Sequence, residues 1–218
     1  MERESEKTNL KMTTFSIHQN DPYYPQSLKK YLMGKAPAKI TAIGNLNILQ
    51  NKSLALFCSV KCPGNIILKT YDLMKKLREL DITVISGFHS PIEQECQNIL
   101  LKGKQPVIYC PARSIDNMRI KREYKEPIEE GKFLMLSPFA ENQRRITKET
   151  SSMRNYFAAA IANSIFISYA EQNSKTEKFC YELLSLNKPV YTLNTDATKN
   201  LVAIGVKHID SYILNILG

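Results

Sequence analysis

Short apolar runs that alternate with longer amphipathic segments constrain the fold of this chain more than any other feature of its sequence. Each run has the length of a strand and is continuously apolar, which is typical of strands buried on both faces of a sheet. The expected strands cover residues 54–58, 82–86, 106–110, 133–136, 164–168 and 189–193. Buried strands that alternate with helices predict a doubly wound α/β fold with a mainly parallel sheet.

The segments between these strands show the spacing of amphipathic helices. Apolar residues at steps of four, three and three predict a helix that begins at Asn65, its expected N-cap, and ends near Leu80. Further helices are expected over residues 91–102, 151–163 and 175–186, and residues 114–130 hold a weaker helical pattern that Pro127 interrupts. Beyond residue 193 we expect a helix, a short strand near Val206–Ile209 and a final short helix.

The first quarter of the chain differs from the rest because it is rich in turn-forming residues. Residues 1–14 are polar and charged and are expected to be frayed. From Phe15 to Asn51, prolines and a glycine exclude a long helix, and the pattern predicts only a short helix near Leu28 and a short strand near Ile40. We therefore predict that residues 1–51 form a tail and a small cap, and that residues 52–218 form the main domain.

The charge of the chain predicts an anionic partner. Lys and Arg number 30 against 21 Asp and Glu, and the resulting net charge of +9 suits nucleic acid, a nucleotide or a membrane surface. An ordinary basic surface is the alternative. No apolar run approaches the roughly 18–20 residues of a membrane-spanning helix, and the charged N-terminus lacks the apolar core of a signal peptide. We therefore expect a cytoplasmic protein without a membrane partner.

The sequence predicts neither a metal site nor catalysis. Its five cysteines are scattered, and only Cys58 and Cys62 lie close together, without a CxxC motif or a neighbouring histidine. Reduced cysteines, mostly in a core, are the expected state. No paired acids, positioned nucleophile or glycine-rich nucleotide fingerprint accompany them, so we expect no enzyme activity and no cofactor.

Two loops that follow predicted strands carry polar residues suited to bind a phosphate. In doubly wound sheets, ligands bind outside the carboxyl ends of the strands, where the strand order reverses. The loop of residues 58–64 contributes Ser59 and Lys61, and the loop of residues 86–91 contributes Ser86, Gly87 and His89. A glycine at position 87 would allow close approach of the backbone to a ligand. Plain connecting turns are the alternative for both loops.

The segment of residues 141–155 is the strongest functional signal in the residues themselves. It is a polar loop that leads into an Ala-rich helix, and it contributes four basic side chains and an amide: Arg144, Arg145, Lys148, Arg154 and Asn155. Orphan backbone N–H groups and the helix dipole add to side-chain charge at such a position, and arginine binds phosphate through two hydrogen bonds. A solvated run of charges is the alternative.

The order of several short motifs resembles the DNA-processing protein A family, also called DprA or Smf. The resemblance spans about Tyr23 to Leu217 and rests on Tyr24-Pro25-Gln26-Ser27-Leu28, Ser86-Gly87-Phe88, Arg154-Asn155-Tyr156 and Asn200-Leu201 with Gly205. The chain departs from the family pattern at Cys58-Ser59-Val60, which stands in place of Gly-Ser-Arg. It departs again at Tyr156, which replaces the second arginine of Arg-Asn-Arg. A divergent member, without the family's C-terminal winged-helix domain, is therefore expected.

This resemblance implies an extended Rossmann fold, related to the LOG-like nucleotide-binding superfamily, and a role in DNA recombination and natural transformation. It implies a homodimer that binds single-stranded DNA without catalysis and helps to load a RecA-type recombinase. The basic residues and Asn155 of residues 141–155 would contact phosphates, supported by the two loops, and Tyr156 would stack on a base. The alternatives are a LOG-like nucleotide sensor or nucleotide-processing enzyme, and a scaffold that binds a protein partner.

Overall fold

Nine strands form one mixed sheet in the part of the chain that the computed structural model describes, residues 13–210. In chain order these strands are β1 (Thr14–His18), β2 (Lys39–Gly44), β3 (Ser53–Cys58), β4 (Thr83–Ser86), β5 (Val107–Tyr109), β6 (Phe133–Ser137), β7 (Ser164–Tyr169), β8 (Val190–Thr192) and β9 (Lys207–His208). The α-helices are α1 (Ser27–Leu32), α2 (Gly64–Leu77), α3 (Pro91–Leu100), α4 (Arg122–Glu129), α5 (Lys148–Ile161), α6 (Lys175–Ser185) and α7 (Lys199–Ala203). Short 3-10 turns lie at Met33–Lys35, Leu46–Gln50 and Asp196–Thr198.

The strand order places a switch point in the middle of the sheet. The order is β1-β2-β6-β5-β4-β3-β7-β8-β9; β2 pairs antiparallel with β1 and β6, and the other neighbours pair in parallel. From β3 the chain builds outward through β4, β5 and β6, and it then returns to place β7 on the other side of β3. The order therefore reverses between β3 and β7. The predicted doubly wound, mainly parallel α/β fold is confirmed.

Helices cover both faces of the sheet, which explains why its strands are continuously apolar. On one face α1, α5 and α6 bury side chains such as Leu28, Phe157 and Leu183. On the other face α2, α3 and α4 bury side chains such as Met74 and Leu100. Each side chain of this size contributes roughly 1.5–3 kcal/mol when it is fully buried. All residues of the central strand β3 are buried between the two layers.

The predicted strands are all present, with ends within one residue of the predicted ends, but three helices differ. α5 begins three residues before the predicted start at residue 151 and ends two residues before the predicted end. α2 begins at Gly64 with Pro63 at its N-cap, and the side chain of Asn65 instead accepts a hydrogen bond from the amide of Ile66 at 3.0 Å. Residues 114–121 are not helical, and α4 contains Pro127. Tertiary contacts override the helical pattern there, since the backbone N–H of Ser114 donates to the carbonyl of Gln143 in another loop, at 2.8 Å.

The N-terminal segment is continuous with the main sheet. β1, which the sequence did not predict, pairs with β2. β2 is the strand expected near Ile40, and its other edge pairs with β6. α1 confirms the short helix near Leu28, and β9 lies within the strand expected near Val206–Ile209. The division at residue 51 stays a prediction. Most of the tail expected over residues 1–14, and the final short helix, lie outside the described residues.

Lys188 is a buried cation at the C-terminal end of α5. Only 5% of its surface is exposed, and its Nζ donates hydrogen bonds to the carbonyl oxygens of Ala160, at 3.2 Å, and Ala162, at 2.5 Å. The same group lies 3.8 Å from the centroid of the Tyr31 ring. These partners suit a cation at the negative end of a helix dipole. Burial, with a smaller effect of Lys30, nevertheless lowers the pKa of Lys188 to about 8.

The lowered pKa of Lys188 predicts that alkaline pH stabilises the fold relative to a variant without this amine. Between a pH of about 8 and the ordinary pKa of 10.5, the unfolded chain keeps the proton that the folded chain has lost, so the free energy of unfolding rises with pH. From about pH 7 to about pH 10, we expect wild type to gain about 1–3 kcal/mol over Lys188→Met in urea denaturation. Lys125→Met removes an exposed lysine of α4, and its difference from wild type should not change with pH. A difference in the free energy of unfolding between wild type and Lys188→Met that does not change with pH would contradict the prediction.

Candidate functional site

A cleft of about 890 Å³ opens at the switch point, beside the carboxyl ends of β3 and β4. Its walls are the N-terminal halves of α5 and α6, and its floor is the end of β3 with the loop after β4. The lining residues are Phe57, Cys58, His89, Glu93, Ile146, Thr147, Lys148, Ser151, Ser152, Asn155, Tyr156, Lys175, Thr176, Lys178, Phe179 and Glu182. The cleft therefore lies where doubly wound sheets bind their ligands.

Two helix N-termini bring lysines to the walls of this cleft. α5 begins at Lys148 and α6 begins at Lys175, and Lys178 follows one turn later on α6. The three side chains line the cleft and are exposed. Hydroxyl caps at Thr147 and Ser174 hold the two helix starts in place. Positive side chains and helix N-termini together make the cleft suited to an anion.

Glu93 is a buried carboxylate that ties the loops of the cleft floor together. Its Oε1 accepts a hydrogen bond from the amide of Cys58 at 3.2 Å, and its Oε2 accepts from the amides of His89, at 2.9 Å, and Ser90, at 3.2 Å. Ser90 Oγ in turn accepts from the amide of Glu93, which completes a capping box at the start of α3. Charge-assisted hydrogen bonds thus hold the end of β3 and the loop after β4 in one geometry.

Arg154 lies inside the protein, and this corrects the prediction that it contacts a phosphate. Only 5% of its surface is exposed, Nη1 donates to the carbonyl of Cys110 at 3.1 Å, and Nε donates to Asn155 Oδ1 at 2.8 Å. The guanidinium packs on Gly87, where a Cβ would lie 1.1 Å from Nη1. Burial lowers the pKa of Arg154, and the negative charge of Glu93 partly offsets that effect. Arg154 therefore positions the loop after β4 and the amide of Asn155.

Three aromatic rings form an apolar part of the cleft wall. The ring of Phe179 meets those of Phe57 and Tyr156 edge to face, with centroid distances of 5.1 and 4.9 Å. The hydroxyl of Tyr156 donates a hydrogen bond to Glu182. Phe57 and Phe179 are buried, whereas Tyr156 is half-buried. Aromatic surface that is partly exposed next to cations can stack with a nucleobase.

The structure brings four of the residues predicted from the sequence to the cleft: His89, Lys148, Asn155 and Tyr156. Three others are exposed but are not among the lining residues: Lys61, Arg144 and Arg145. Arg144 Nη2 lies 3.7 Å from a carboxylate oxygen of Glu141, and both side chains are largely exposed. Exposed pairs of this kind contribute little to stability. A direct phosphate contact by these three residues stays a prediction.

Two predicted serines are buried, and the Ser86 hydroxyl and the Ser59 backbone amide form hydrogen bonds inside the protein. Ser86 Oγ donates to the carbonyl of Leu56 at 2.8 Å and accepts from the amide of Phe88 at 3.2 Å. The amide of Ser59 donates to the carbonyl of Tyr169 at 3.0 Å, which links the end of β3 to the end of β7. Ser86 therefore supports the loop after β4, because both hydrogen-bonding roles of its hydroxyl are already used inside the protein.

Four charged groups of the cleft escaped the sequence analysis: Glu93, Lys175, Lys178 and Glu182. A signal existed for the first, because a serine three residues before a glutamate at a helix start is the pattern of a capping box. A signal also existed for Lys175, since it opens the helix that follows β7 at the switch point. Their common placement required α5 and α6 to pack next to the end of β3 on the same face of the sheet, which no local pattern reveals.

Within residues 13–210, no group of three or more His, Cys, Asp or Glu side chains is placed to hold a metal ion. In the same residues, no helix combines the length and the apolar character that crossing a bilayer requires.

Comparison with known proteins relates the whole described chain to one family. Residues 15–211 match the family model described as DNA recombination-mediator protein A. The fold is similar to that of DNA processing protein A from Streptococcus pneumoniae, with a TM-score of 0.74, 18% identity, and coverage of 95% of this chain and 74% of that chain. It is also similar to DNA processing protein A from Helicobacter pylori, a structure reported for its single-stranded DNA binding mode, with a TM-score of 0.73, 18% identity and 95% coverage of each chain. No curated protein matches the sequence.

Proposed function

The chain belongs to the DNA recombination-mediator protein A family, and on this premise we propose that it binds single-stranded DNA in the cleft between α5 and α6, without catalysis. The observation that carries the proposal is the convergence of Lys148, Lys175 and Lys178 at the starts of two helices. Contacts with backbone phosphates provide most of the sequence-independent affinity of proteins for nucleic acid. The three ammonium groups are in reach of such phosphates because they line one cleft.

The size and lining of the cleft favour a single strand over a duplex. Its volume of about 890 Å³ falls in the range of pockets that hold one small ligand, roughly 300–1,000 Å³, which is too small for a double helix. Tyr156 offers aromatic surface to a base, while Asn155 and His89 offer hydrogen-bonding groups. Aromatic stacking and a positive groove are the two elements that bind single strands without sequence preference. The Helicobacter pylori protein, which shares this fold and binds single-stranded DNA, supports the same class of ligand.

Further parts of the proposal come from the family. We propose a cytoplasmic homodimer that acts in DNA recombination and natural transformation, with a RecA-type recombinase as its partner. The contact with the recombinase would lie outside the cleft, because the cleft holds the DNA. Size-exclusion chromatography with light scattering measures the oligomeric state directly.

A free nucleotide is the second candidate ligand. A cleft of this volume at the switch point of a doubly wound sheet is the usual place of a mononucleotide. Thermal-shift measurements with a panel of nucleotides distinguish the two ligands. A shift of several degrees with one nucleotide, together with no binding of single-stranded DNA, would favour the nucleotide.

Lysine substitutions in the cleft test the DNA proposal. Lys148→Ala and Lys175→Ala should each weaken the binding of a labelled oligothymidylate by about three- to tenfold and reduce the slope of log affinity against log salt by about 0.7. Fluorescence anisotropy between about 50 and about 200 mM salt measures both quantities. Both the weaker binding and the smaller salt dependence are expected because each variant loses one phosphate contact.

Lys125→Ala is the matched control, because this exposed lysine lies on α4, on the other face of the sheet. It removes the same charge from the protein and should change the affinity by less than about twofold. The proposal fails if wild type does not bind single strands at low salt, or if Lys125→Ala weakens binding as much as the cleft variants do.

A further inference from the structure

The two walls of the cleft change in chemical character along their helices. The cations Lys148 and Lys175 stand at the starts of α5 and α6, whereas Tyr156 and Glu182 line the cleft two turns further along the same helices. Two turns correspond to roughly 10 Å along a helix axis. The cleft therefore has a cationic end, which suits phosphates, and a second end that offers an aromatic ring and a carboxylate.

Glu182 is an exposed carboxylate in the wall of a cleft that carries three exposed lysines. It takes part in none of the ion pairs found among residues 13–210. A carboxylate repels phosphate, so contact with the DNA backbone gives Glu182 no role. Its two oxygens offer about four acceptor sites, and the hydroxyl of Tyr156 uses one of them. The carboxylate therefore keeps free acceptors for a donor on a ligand.

The hydrogen bond from Tyr156 holds this carboxylate beside the aromatic surface of the cleft. It joins the two walls, because Tyr156 belongs to α5 and Glu182 to α6. The ring of Tyr156 is itself held edge to face by Phe179, with 4.9 Å between the centroids. The Watson–Crick edge of a base in a single strand is free of a pairing partner. A base that stacks on Tyr156 thus brings this edge within reach of Glu182.

Guanine matches a carboxylate better than the other bases do. Its Watson–Crick edge carries two adjacent donors, N1–H and N2–H, which can donate in parallel to the two oxygens of one carboxylate, as a guanidinium does. Thymine offers one N–H between two carbonyl oxygens. In cytosine and adenine the amino group stands next to a ring nitrogen that accepts. A carboxylate is repelled by these neighbouring acceptors, so its contact with the three other bases is weaker.

We propose that Glu182 is a specificity-determining residue, which makes the cleft prefer guanine within a single strand. The base stacks on Tyr156 and donates N1–H and N2–H to the carboxylate, while an adjacent phosphate lies at the starts of α5 and α6. This inference rests on the proposed binding of single-stranded DNA. It adds a base preference, which aromatic stacking and a positive groove do not provide by themselves.

Short competitors that differ in one base test the preference. Thymidine trinucleotides with guanine, hypoxanthine, adenine, cytosine or thymine at the central position displace a labelled oligothymidylate, and fluorescence anisotropy gives their affinities. We expect wild type to bind the guanine competitor about three- to tenfold more tightly than the thymine competitor, because guanine adds a pair of hydrogen bonds. Hypoxanthine keeps N1–H but lacks the amino group, so its affinity should be intermediate.

Glu182→Gln separates base recognition from the orientation of Tyr156. Glutamine keeps an oxygen that accepts from the Tyr156 hydroxyl, but it turns an NH2 group towards the donors of guanine. The guanine preference should disappear, and the affinity for the thymine competitor should rise about twofold because a negative charge is lost from the cleft. Glu126→Gln is the matched control, since this exposed carboxylate lies on α4, on the other face of the sheet, and should keep the preference.

The outcomes distinguish this inference from the proposal on which it rests. Equal affinity of wild type for the guanine and thymine competitors would overturn the base preference and leave the binding of single strands intact. A guanine preference that persists in Glu182→Gln would overturn the role of Glu182. Failure of wild type to bind the labelled strand at low salt would overturn both proposals. Circular dichroism checks that the variants fold.

Discussion

Gly87→Ala is expected to lower the free energy of unfolding by about 3 kcal/mol and to weaken single-stranded DNA binding about tenfold. A Cβ at this position would lie 1.1 Å from Nη1 and 1.8 Å from Cζ of Arg154, so the guanidinium has to leave its site. It would lose the hydrogen bond to the carbonyl of Cys110 in a buried region. Asn155, whose Oδ1 accepts from Arg154 Nε, would lose its orientation on the cleft wall. Urea denaturation and fluorescence anisotropy measure the two effects.

Gly34→Ala is the matched control for this substitution. A Cβ on Gly34 meets no atom within 4 Å, so its effect on stability should stay below about 0.5 kcal/mol. A double-mutant cycle sharpens the test, since the clash of Gly87→Ala disappears when Arg154 is also replaced by alanine. The double variant should therefore cost less than the sum of the single variants. Additive effects would show that Gly87 and Arg154 act independently, against the packing described above.

Glu93→Ala is expected to destabilise the fold by about 3–5 kcal/mol, the largest effect of any single substitution considered for this protein. The change removes the acceptor of the backbone N–H groups of Cys58, His89 and Ser90. It also leaves the buried cation of Arg154 without its nearby compensating charge. Native domains have only about 5–15 kcal/mol of stability, so urea denaturation should show a large shift of the midpoint.

Glu95→Ala is the control on the same helix. Glu95 is exposed and accepts only a hydrogen bond from Asn98 Nδ2 at 3.0 Å, so its loss should cost less than about 0.5 kcal/mol. Glu93→Gln provides an intermediate case, because it keeps one acceptor oxygen and turns an NH2 group towards backbone donors. Equal stability of Glu93→Ala and Glu95→Ala would rule out the role assigned to the buried carboxylate.

Local sequence patterns predicted the sheet well and the N-terminal segment less well. The strands from β3 to β8 are continuously apolar, and burial on both faces imposes that pattern regardless of which strands become neighbours. β1 carries no such pattern, because it lies at the edge of the sheet and only Ile17 of its residues is buried. The non-helical residues 114–121 were mistaken for the start of a helix, because tertiary contacts and not helix propensity hold them.

The candidate site was only partly predictable, because charge in a sequence does not reveal exposure. Lys148 and Arg154 belong to the same helix and were assigned the same role. Lys148 opens α5 and faces the cleft, whereas Arg154 faces Gly87 and the carbonyl of Cys110. Which residue meets a ligand depends on how α5 packs on the sheet, and helical spacing alone cannot supply that orientation.

The amino-acid sequence by itself determined the fold class, the order of strands and helices along the chain, and the basic character of the segment before α5. The fold class and the order of elements follow from the length and periodicity of apolar runs, because a buried segment carries its apolar pattern in its own residues. The basic character follows from the lysines and arginines of that segment. Only the tertiary structure decided that Glu93 and Arg154 are positioning groups, and that the lysines of α5 and α6 share one cleft. The physical reason is that desolvation and hydrogen bonding at the site join segments that are distant in the chain, and these contacts exist only after the sheet has assembled.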